Sequence, residues 1–407
     1  MADKFIKKIV VRPCPICSNK TGEILHTQKF AIPKGYPLPC VYDVVSCIKC
    51  GFVYADTPAR QKDYDLYYEK FSIYDDIVTA SGAGIFPWDN KRFEYAALEI
   101  AKIMPDKGCS IIDIGCANGG LLAKLKSIGY TNLTGLDMSA ACLEYTQRVH
   151  GIGKTIEGGV FCPTIKSDMS LHGSFDCACL VGVVEHIYDL EKAIINVSRL
   201  LRNSGILYIV VPDASRYHDF YTAPYSDFNL EHINHFDDNS LGNLLTLNGL
   251  DVVSFSEYVV NVGGTYCPCA TIIGKKSGNK VSGKIVGKFA VKDSVLKCID
   301  KSKNDLDSIR IKLEPLVRLQ DPVIVWGAGN FTSRLMEDSI LGKCNIIAMV
   351  DNNSKKWGSK IKGIAVSPPN KLKGFTGTLI VSSVFFSDDI CAQAKSMGIN
   401  NEILVLR

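Results

Sequence analysis

The sequence predicts an α/β protein, with a doubly wound parallel sheet at its centre, a small cysteine module in front and a second doubly wound unit behind. Three observations carry that expectation. The apolar run Ser110 to Ile114 breaks at Gly115 and passes into a helical pattern. Four cysteines near the start fall into two C-x2-C pairs, and a second strand–glycine–helix pattern begins at Pro322.

At 407 residues the chain exceeds one ordinary core, so several domains are expected. A content of 46% hydrophobic and 22% charged residues is that of an ordinary globular protein. The net charge of +4 is too mild to argue for nucleic acid or an anionic membrane. No apolar run reaches the roughly 18 to 20 residues a membrane span needs, and the start from Met1 to Lys8 lacks a signal-peptide core of about 7 to 15 apolar residues. A cytoplasmic protein with no membrane partner is expected. There the 16 cysteines are thiols rather than disulfides, and most, such as Cys177 and Cys179, read as small buried hydrophobes.

The first pairs are Cys14-Pro-Ile-Cys17 and Cys47-Ile-Lys-Cys50, separated by 29 residues. Each pair presents two thiolates from one turn, and together they complete the tetrahedral sulfur shell that zinc prefers. Gly51 suits the left-handed turn after the second pair. Such a closed shell has no open position for water, so the zinc is expected to be structural. The spacer, with Tyr36, Val41, Tyr42, Val44 and Val45, suits an added β-hairpin, and Cys40 is a fifth thiol that competes for the metal. Residues 1–60 carry nine Lys/Arg against four Asp/Glu, but aromatics are not interleaved with them as in a nucleic-acid surface.

The central unit follows in order. The turn after Ile114 reads D-x-G-x-x-x-G-G, which lets the backbone approach a ligand at the carboxyl end of a sheet. A second strand, Asn132 to Leu136, ends at Asp137, about 20 residues after the turn, where a carboxylate can accept ribose hydroxyls. A further strand, Phe175 to Leu180, runs into Val181 and then Glu185-His186; a helix over 190–201 and a strand ending at Pro212-Asp213 follow. In this order, D-I-G-C-x-x-G, G-L-D, V-x-E-H-x-x-D and G-x-L-x-I-x-V-P-D resemble class I S-adenosylmethionine-dependent methyltransferases. The resemblance implies that Asp113, Gly115 and Gly119 lie beside the methionine part of the cofactor. It also implies that Asp137 holds the ribose and that Leu180 and Val181 line the region under the sulfonium. Glu185-His186 reads either as an acid–base pair or, as the family favours, as a support for the strand end.

Between Asp213 and Leu241 lies a segment rich in Tyr, His and Phe, with three of the chain's seven histidines. Glu231-His232 can supply a neutral imidazole base beside a carboxylate. Packing under the next helix is the other reading, and for His235 the preferred one. A four-cysteine module, a Tyr-rich stretch (Tyr64, Tyr67, Tyr68, Ser72, Tyr74) and E-H-x-x-x-F-x-x-x-S-L together resemble the three-domain sugar C-methyltransferases of deoxysugar, capsule or O-antigen pathways. That resemblance implies a nucleotide-linked keto-sugar as substrate, His232 as base, Glu231 as its partner and Tyr68 against the sugar. Asn229 stands where the family has tyrosine, which leaves C- and O-methylation both open. A zinc-ribbon RNA methyltransferase and a non-enzymatic sugar-nucleotide-binding or scaffold protein are the remaining alternatives.

Thr271 to Lys276 reads as the last antiparallel strand. Eight lysines and two aspartates between Lys275 and Lys301 read as a solvated face on a linker and helix reaching Leu319. The final unit, 86 residues from Pro322, has strands over 322–326, 345–350, 378–382 and 402–406 and a helix over 388–397. Thr332 replaces the third glycine of the dinucleotide fingerprint, so an NAD site is weakly supported. By the resemblance this Rossmann-like unit helps bind the nucleotide-sugar, and a helix starting near Asn330 offers backbone N–H groups to a phosphate. The expected boundaries are 1–60 for the zinc-binding module, 61–280 for the methyltransferase domain, 281–320 for the helical linker and 321–407 for the last domain.

Overall fold

The computed structural model describes residues 6–71, 87–262, 265–277 and 284–406. Ser72 and Tyr74 of the expected tyrosine-rich stretch lie outside them. Three sheets organise the chain.

The first is antiparallel and five-stranded, in the order Lys7–Ile9, Thr21–Lys29, Val41–Cys47, Val53–Asp56 and Asn234–His235. Its spacer forms long strands because Val44 and Val45 are fully buried between flanking polar residues. The fifth strand was not foreseen. It has two residues, arrives from the histidine-rich segment, and pairs Asn234 with Tyr54 and His235 with Val53. Two residues are too few for a strand pattern to show in the sequence.

The second sheet has seven strands, in the order Leu250–Val262, Thr265–Lys276, Leu201–Pro212, Phe175–Val181, Ser110–Ile114, Asn132–Asp137 and Lys154–Glu157. The last five are parallel to one another and the first two are antiparallel. Phe175–Val181 is buried on both faces, which is why it reads as a continuous apolar run. Strand order reverses between Ser110–Ile114 and Phe175–Val181, the place where such sheets open a crevice. This sheet and the cysteine module share one core, in which Val45, Phe52 and Tyr54 pack with Ile112, Leu180 and Phe236.

The third sheet runs Lys360–Ile361, Ile364–Ser367, Ile346–Val350, Val323–Trp326, Thr378–Val381 and Ile403–Val405, parallel except for its outermost pair. A 30-residue helix, Ala290–Leu319, reaches it from the front of the molecule. Val291, Val295 and Ile299 pack with the cysteine module and the tyrosine-rich helix Gln61–Lys70. Ile309 and Leu313 pack under the third sheet. The lysine run preceding and entering this helix is only partly a solvated face. Lys276 donates to the carbonyls of Ser198 and Leu201 at 2.7 Å, Lys288 pairs with Asp238 at 2.6 Å, and Lys292 pairs with Glu23. Among the described residues no helix is long and apolar enough to cross a membrane.

Candidate functional site

A cavity of about 560 Å³ opens at the carboxyl ends of the central strands. Its floor is the turn after Ser110–Ile114. Gly115 has φ +74° there, and a Cβ would come within 2.8 Å of Val183, so glycine is required twice over. Asp137 ends the neighbouring strand and lines the cavity. Its Oδ2 accepts the Ala117 N–H at 2.8 Å and its Oδ1 the Ser139 N–H at 2.9 Å, so the acid is aimed by the backbone of both flanking turns.

Asp113 and Val181 line the same wall. Burial, and then the charge of Asp137, push the Asp113 carboxyl up to about 7, against the pull of the Arg92 guanidinium. Two of the expected cofactor residues stand behind the wall. Gly119, φ +77°, starts the helix Gly120–Ser127, and a Cβ there would lie 2.7 Å from Thr146; this glycine serves helix packing. Leu180 is fully buried, because side chains alternate along a strand and Val181 takes the cavity side.

A second group of lining residues, the histidine wall, gathers Glu185, His186, Glu231, His232 and Tyr68. The Tyr68 hydroxyl lies 2.8 Å from His186 Nδ1, which also sits 3.2 Å from the Glu231 carbonyl oxygen. A carbonyl only accepts, so the proton belongs on Nδ1 and the lone pair on Nε2, 3.9 Å from Glu185 Oε1. The His186 and His232 rings meet edge to face with centroids 4.8 Å apart. Desolvation lowers the His232 imidazole to about 4, so it is neutral near pH 7. Burial raises the Glu185 carboxyl to about 8, and its Oε2 is buried without a hydrogen-bond partner.

Glu231 departs from the expected arrangement. Its carboxylate accepts the Tyr67 hydroxyl at 2.7 Å, and the loop rather than that carboxylate sets its neighbour's position. Asn229 Oδ1 accepts the backbone N–H of both Glu231 and His232, at 2.8 and 2.7 Å. Asn229 is therefore used in the turn. His235 is wholly buried with Nδ1 3.4 Å from the Tyr217 hydroxyl, the packing role expected of it.

Sequence reasoning missed Arg92, Gln61, Phe385 and Phe386, which line the cavity from three separate segments. Gln61 Oε1 accepts the N–H groups of Tyr188 and Asp189 and so ties the tyrosine-rich helix to the Glu185 loop. Nothing in local spacing announces such residues. The partners of His186 lie at Tyr68 and His232, both distant from it in the chain.

The four cysteines Cys14, Cys17, Cys47 and Cys50 come together, with all sulfur atoms within 4.8 Å of one another. Cys14 and Cys50 are 3.6 Å apart and Cys17 and Cys47 3.5 Å. Bonds of about 2.3 Å at tetrahedral angles need sulfurs roughly 3.8 Å apart, so the set fits zinc. Cys40 is exposed and stands outside the group.

Comparison with known proteins matches residues 88–255 to a methyltransferase domain family and residues 319–405 to the C2185-like, N-terminal family. A ubiquinone biosynthesis O-methyltransferase of Chelativorans sp. (strain BNC1) is 27% identical over 105 residues, 26% of this chain and 41% of that protein. The O-methyltransferase resE of Aspergillus sclerotiorum is 25% identical over 137 residues, 30% and 51% of the two chains. The chain thus spans about half or less of the curated relatives it matches. Among solved structures, a SAM-dependent methyltransferase of Methanosarcina mazei aligns with 44% of this chain and 96% of its own, at 19% identity and TM-score 0.36. The 1,6-didemethyltoxoflavin-N1-methyltransferase of Burkholderia thailandensis aligns with 57% and 97%, at 17% identity and TM-score 0.39.

Proposed function

We propose that this chain, whose residues 88–255 form a class I S-adenosylmethionine-dependent methyltransferase domain, methylates a nucleotide-activated sugar. One observation carries the reading: one cavity is lined both by two aspartates from the ends of neighbouring strands and by two edge-to-face histidines. The aspartate wall suits a cationic adenosyl ligand. Asp137 offers its carboxylate to a ribose diol, and Asp113, raised first by burial and then by Asp137, is a carboxyl whose ionised form a nearby positive charge favours. Arg92 supplies a cation for the cofactor's carboxylate. Bound there, S-adenosylmethionine brings a methyl already made electrophilic by its sulfonium, so the protein's task is to orient the acceptor and remove its proton.

His232 is the candidate base, being neutral and partly buried where it lines the cavity. Its neighbour His186, oriented by the Glu231 carbonyl and Tyr68, presents an Nε2 lone pair that can accept a hydrogen bond from a sugar hydroxyl. The sugar reading rests on the resemblance in the tyrosine-rich helix and the Glu231-His232 loop, and on Phe385 and Phe386, which bring the third sheet's domain to the cavity mouth. Either C- or O-methylation uses the same base. The cysteine cluster holds one structural zinc, and elemental analysis should find one zinc per chain.

The test is mass spectrometry of candidate nucleotide-sugars incubated with S-adenosylmethionine, followed by His232→Ala. Turnover should fall about 100-fold or more while calorimetric binding of S-adenosylhomocysteine is unchanged. Unaltered turnover removes His232 from the base role. Steeply salt-dependent RNA binding with no sugar product would favour the nucleic-acid alternative instead.

A further inference from the structure

We propose that Arg12 is a positioning residue through which the cysteine module fixes the histidine wall of the cavity, so that loading of the cysteine cluster governs the acceptor side while the cofactor side keeps its own support. The inference rests on the zinc and acceptor-site readings above.

Arg12 lies two residues before Cys14 and is 1% exposed. Its backbone N–H is held by Asp56 Oδ1 at 2.7 Å, which fixes the residue against the strand beside the second cysteine pair. The guanidinium keeps one bond to the module, from Nη1 to the Ala55 carbonyl at 3.4 Å, and otherwise reaches out of it. Nη2 donates to the Tyr188 carbonyl at 2.7 Å, the Ile187 carbonyl at 3.3 Å and Asn234 Oδ1 at 2.9 Å, while Nη1 donates to the Ile233 carbonyl at 3.1 Å. These acceptors belong to the two loops that carry Glu185-His186 and Glu231-His232. A planar fork can grip both loops at once, which a lysine ammonium on a flexible stem cannot do in the same geometry.

Asn234 continues the clamp. Its Nδ2 donates to the carbonyls of Val184 at 3.0 Å and Ile187 at 2.7 Å, and the Ile233 N–H donates to the Glu185 carbonyl at 2.9 Å. Asn234 is also the residue that pairs with Tyr54 in the module's sheet. The strand it joins begins three residues after Cys50, so the second cysteine pair forms the bend of the hairpin on which the histidine loop is hung. Metal at the cluster, the hairpin, Arg12 and the two loops form one buried path. The aspartate wall is wired differently, because Asp137 is held by Ala117 and Ser139 within its own turns.

The experiment uses the full chain labelled with 15N-histidine, reading ring tautomers by NMR, with S-adenosylhomocysteine calorimetry and zinc content in parallel. In Arg12→Lys, the ring signals of His186 and His232 should leave their fixed-tautomer positions for averaged ones. Affinity for S-adenosylhomocysteine should stay within about twofold, as for independent sites, and zinc should remain. Guanidinium ion added to Arg12→Ala should restore the wild-type ring signals; should that variant not fold, Arg12→Lys decides. Removing zinc from the wild-type chain with a chelator should move the same two rings. Unmoved rings in Arg12→Lys, or in the zinc-free chain, overturn the proposal. A wild-type chain that holds neither zinc nor S-adenosylhomocysteine overturns the reading beneath it instead.

Discussion

The central and C-terminal sheets carry the same turn, and they use it differently. In each, a positive-φ glycine follows the first strand, Gly115 at +74° and Gly327 at +111°. In each, an aspartate at the tip of the next strand accepts the N–H two or one residues beyond that glycine, Ala117 to Asp137 and Ala328 to Asp351, both at 2.8 Å. The other carboxylate oxygen takes the N–H two residues on, from Ser139 at 2.9 Å and Asn353 at 2.8 Å. Beyond this the turns diverge. Asp137 faces the cavity beside another acid, whereas Asp351 is met by Lys356 of its own loop at 3.0 Å. The Trp357 indole closes over it by donating to the Asp351 carbonyl at 2.7 Å. Thr332, in place of the third glycine, is fully buried with its hydroxyl on the Gly327 carbonyl at 2.5 Å and on Ser382 Oγ at 2.8 Å. A strand–glycine–acid pattern thus specifies a turn; the next shell of side chains decides whether the turn is open to a ligand.

The largest expected effect breaks the symmetry outright. Asp137→Ala should weaken S-adenosylhomocysteine binding about 100-fold, the cost of losing charge-assisted hydrogen bonds to a diol. Asp351→Ala should leave that binding unchanged and lower the melting temperature instead, since its carboxylate holds only its own chain. Equal losses from both substitutions, measured by calorimetry, would mean that the cofactor site is not at the first turn.

What was legible follows from this contrast. The cysteine pairs and the glycine turns were legible because each is a pattern of a few adjacent residues, and the place of Asp137 because it closes an apolar strand run. Gly119 is a motif glycine whose positive φ and closeness to Thr146 give it a packing duty that its motif alone does not announce. Gln61, Arg12 and the phenylalanine pair were invisible, because each meets a segment more than 50 residues away, and Arg92 stands in no motif; only the fold supplies these adjacencies. His186 fell between the two cases. Its motif was read, but its chemistry depends on Tyr68 and His232, which the tertiary structure brings to it.

A second prediction sharpens the difference in charge. Asp113 has a folded-state carboxyl raised to about 7, so the ligand-free fold loses stability as pH climbs from the ordinary carboxylate range through about 7. A cationic ligand prefers the ionised form, which reverses the sign for binding. Affinity for S-adenosylmethionine should rise about tenfold between pH 6 and pH 8 and level off above. Asp113→Asn should flatten that rise. A flat profile in the wild-type chain would show that Asp113 does not face the positive part of the ligand.

The smallest effect addresses why the second turn is closed. Lys356 is about a quarter exposed, and its loss leaves Asp351 still accepting two backbone N–H groups, so Lys356→Ala should cost about 1 kcal/mol or less of stability. For a domain in a chain of this size that is a fall of roughly 2 to 4 °C in melting temperature. The informative readout is binding. With the lysine gone, the second turn has the same glycine, acid and backbone donors as the first, but Thr332 and Trp357 still occupy its flank. Calorimetry with S-adenosylhomocysteine should therefore still report one site per chain. A second equivalent in Lys356→Ala would show that one ion pair, and not the packing around it, separates the two turns.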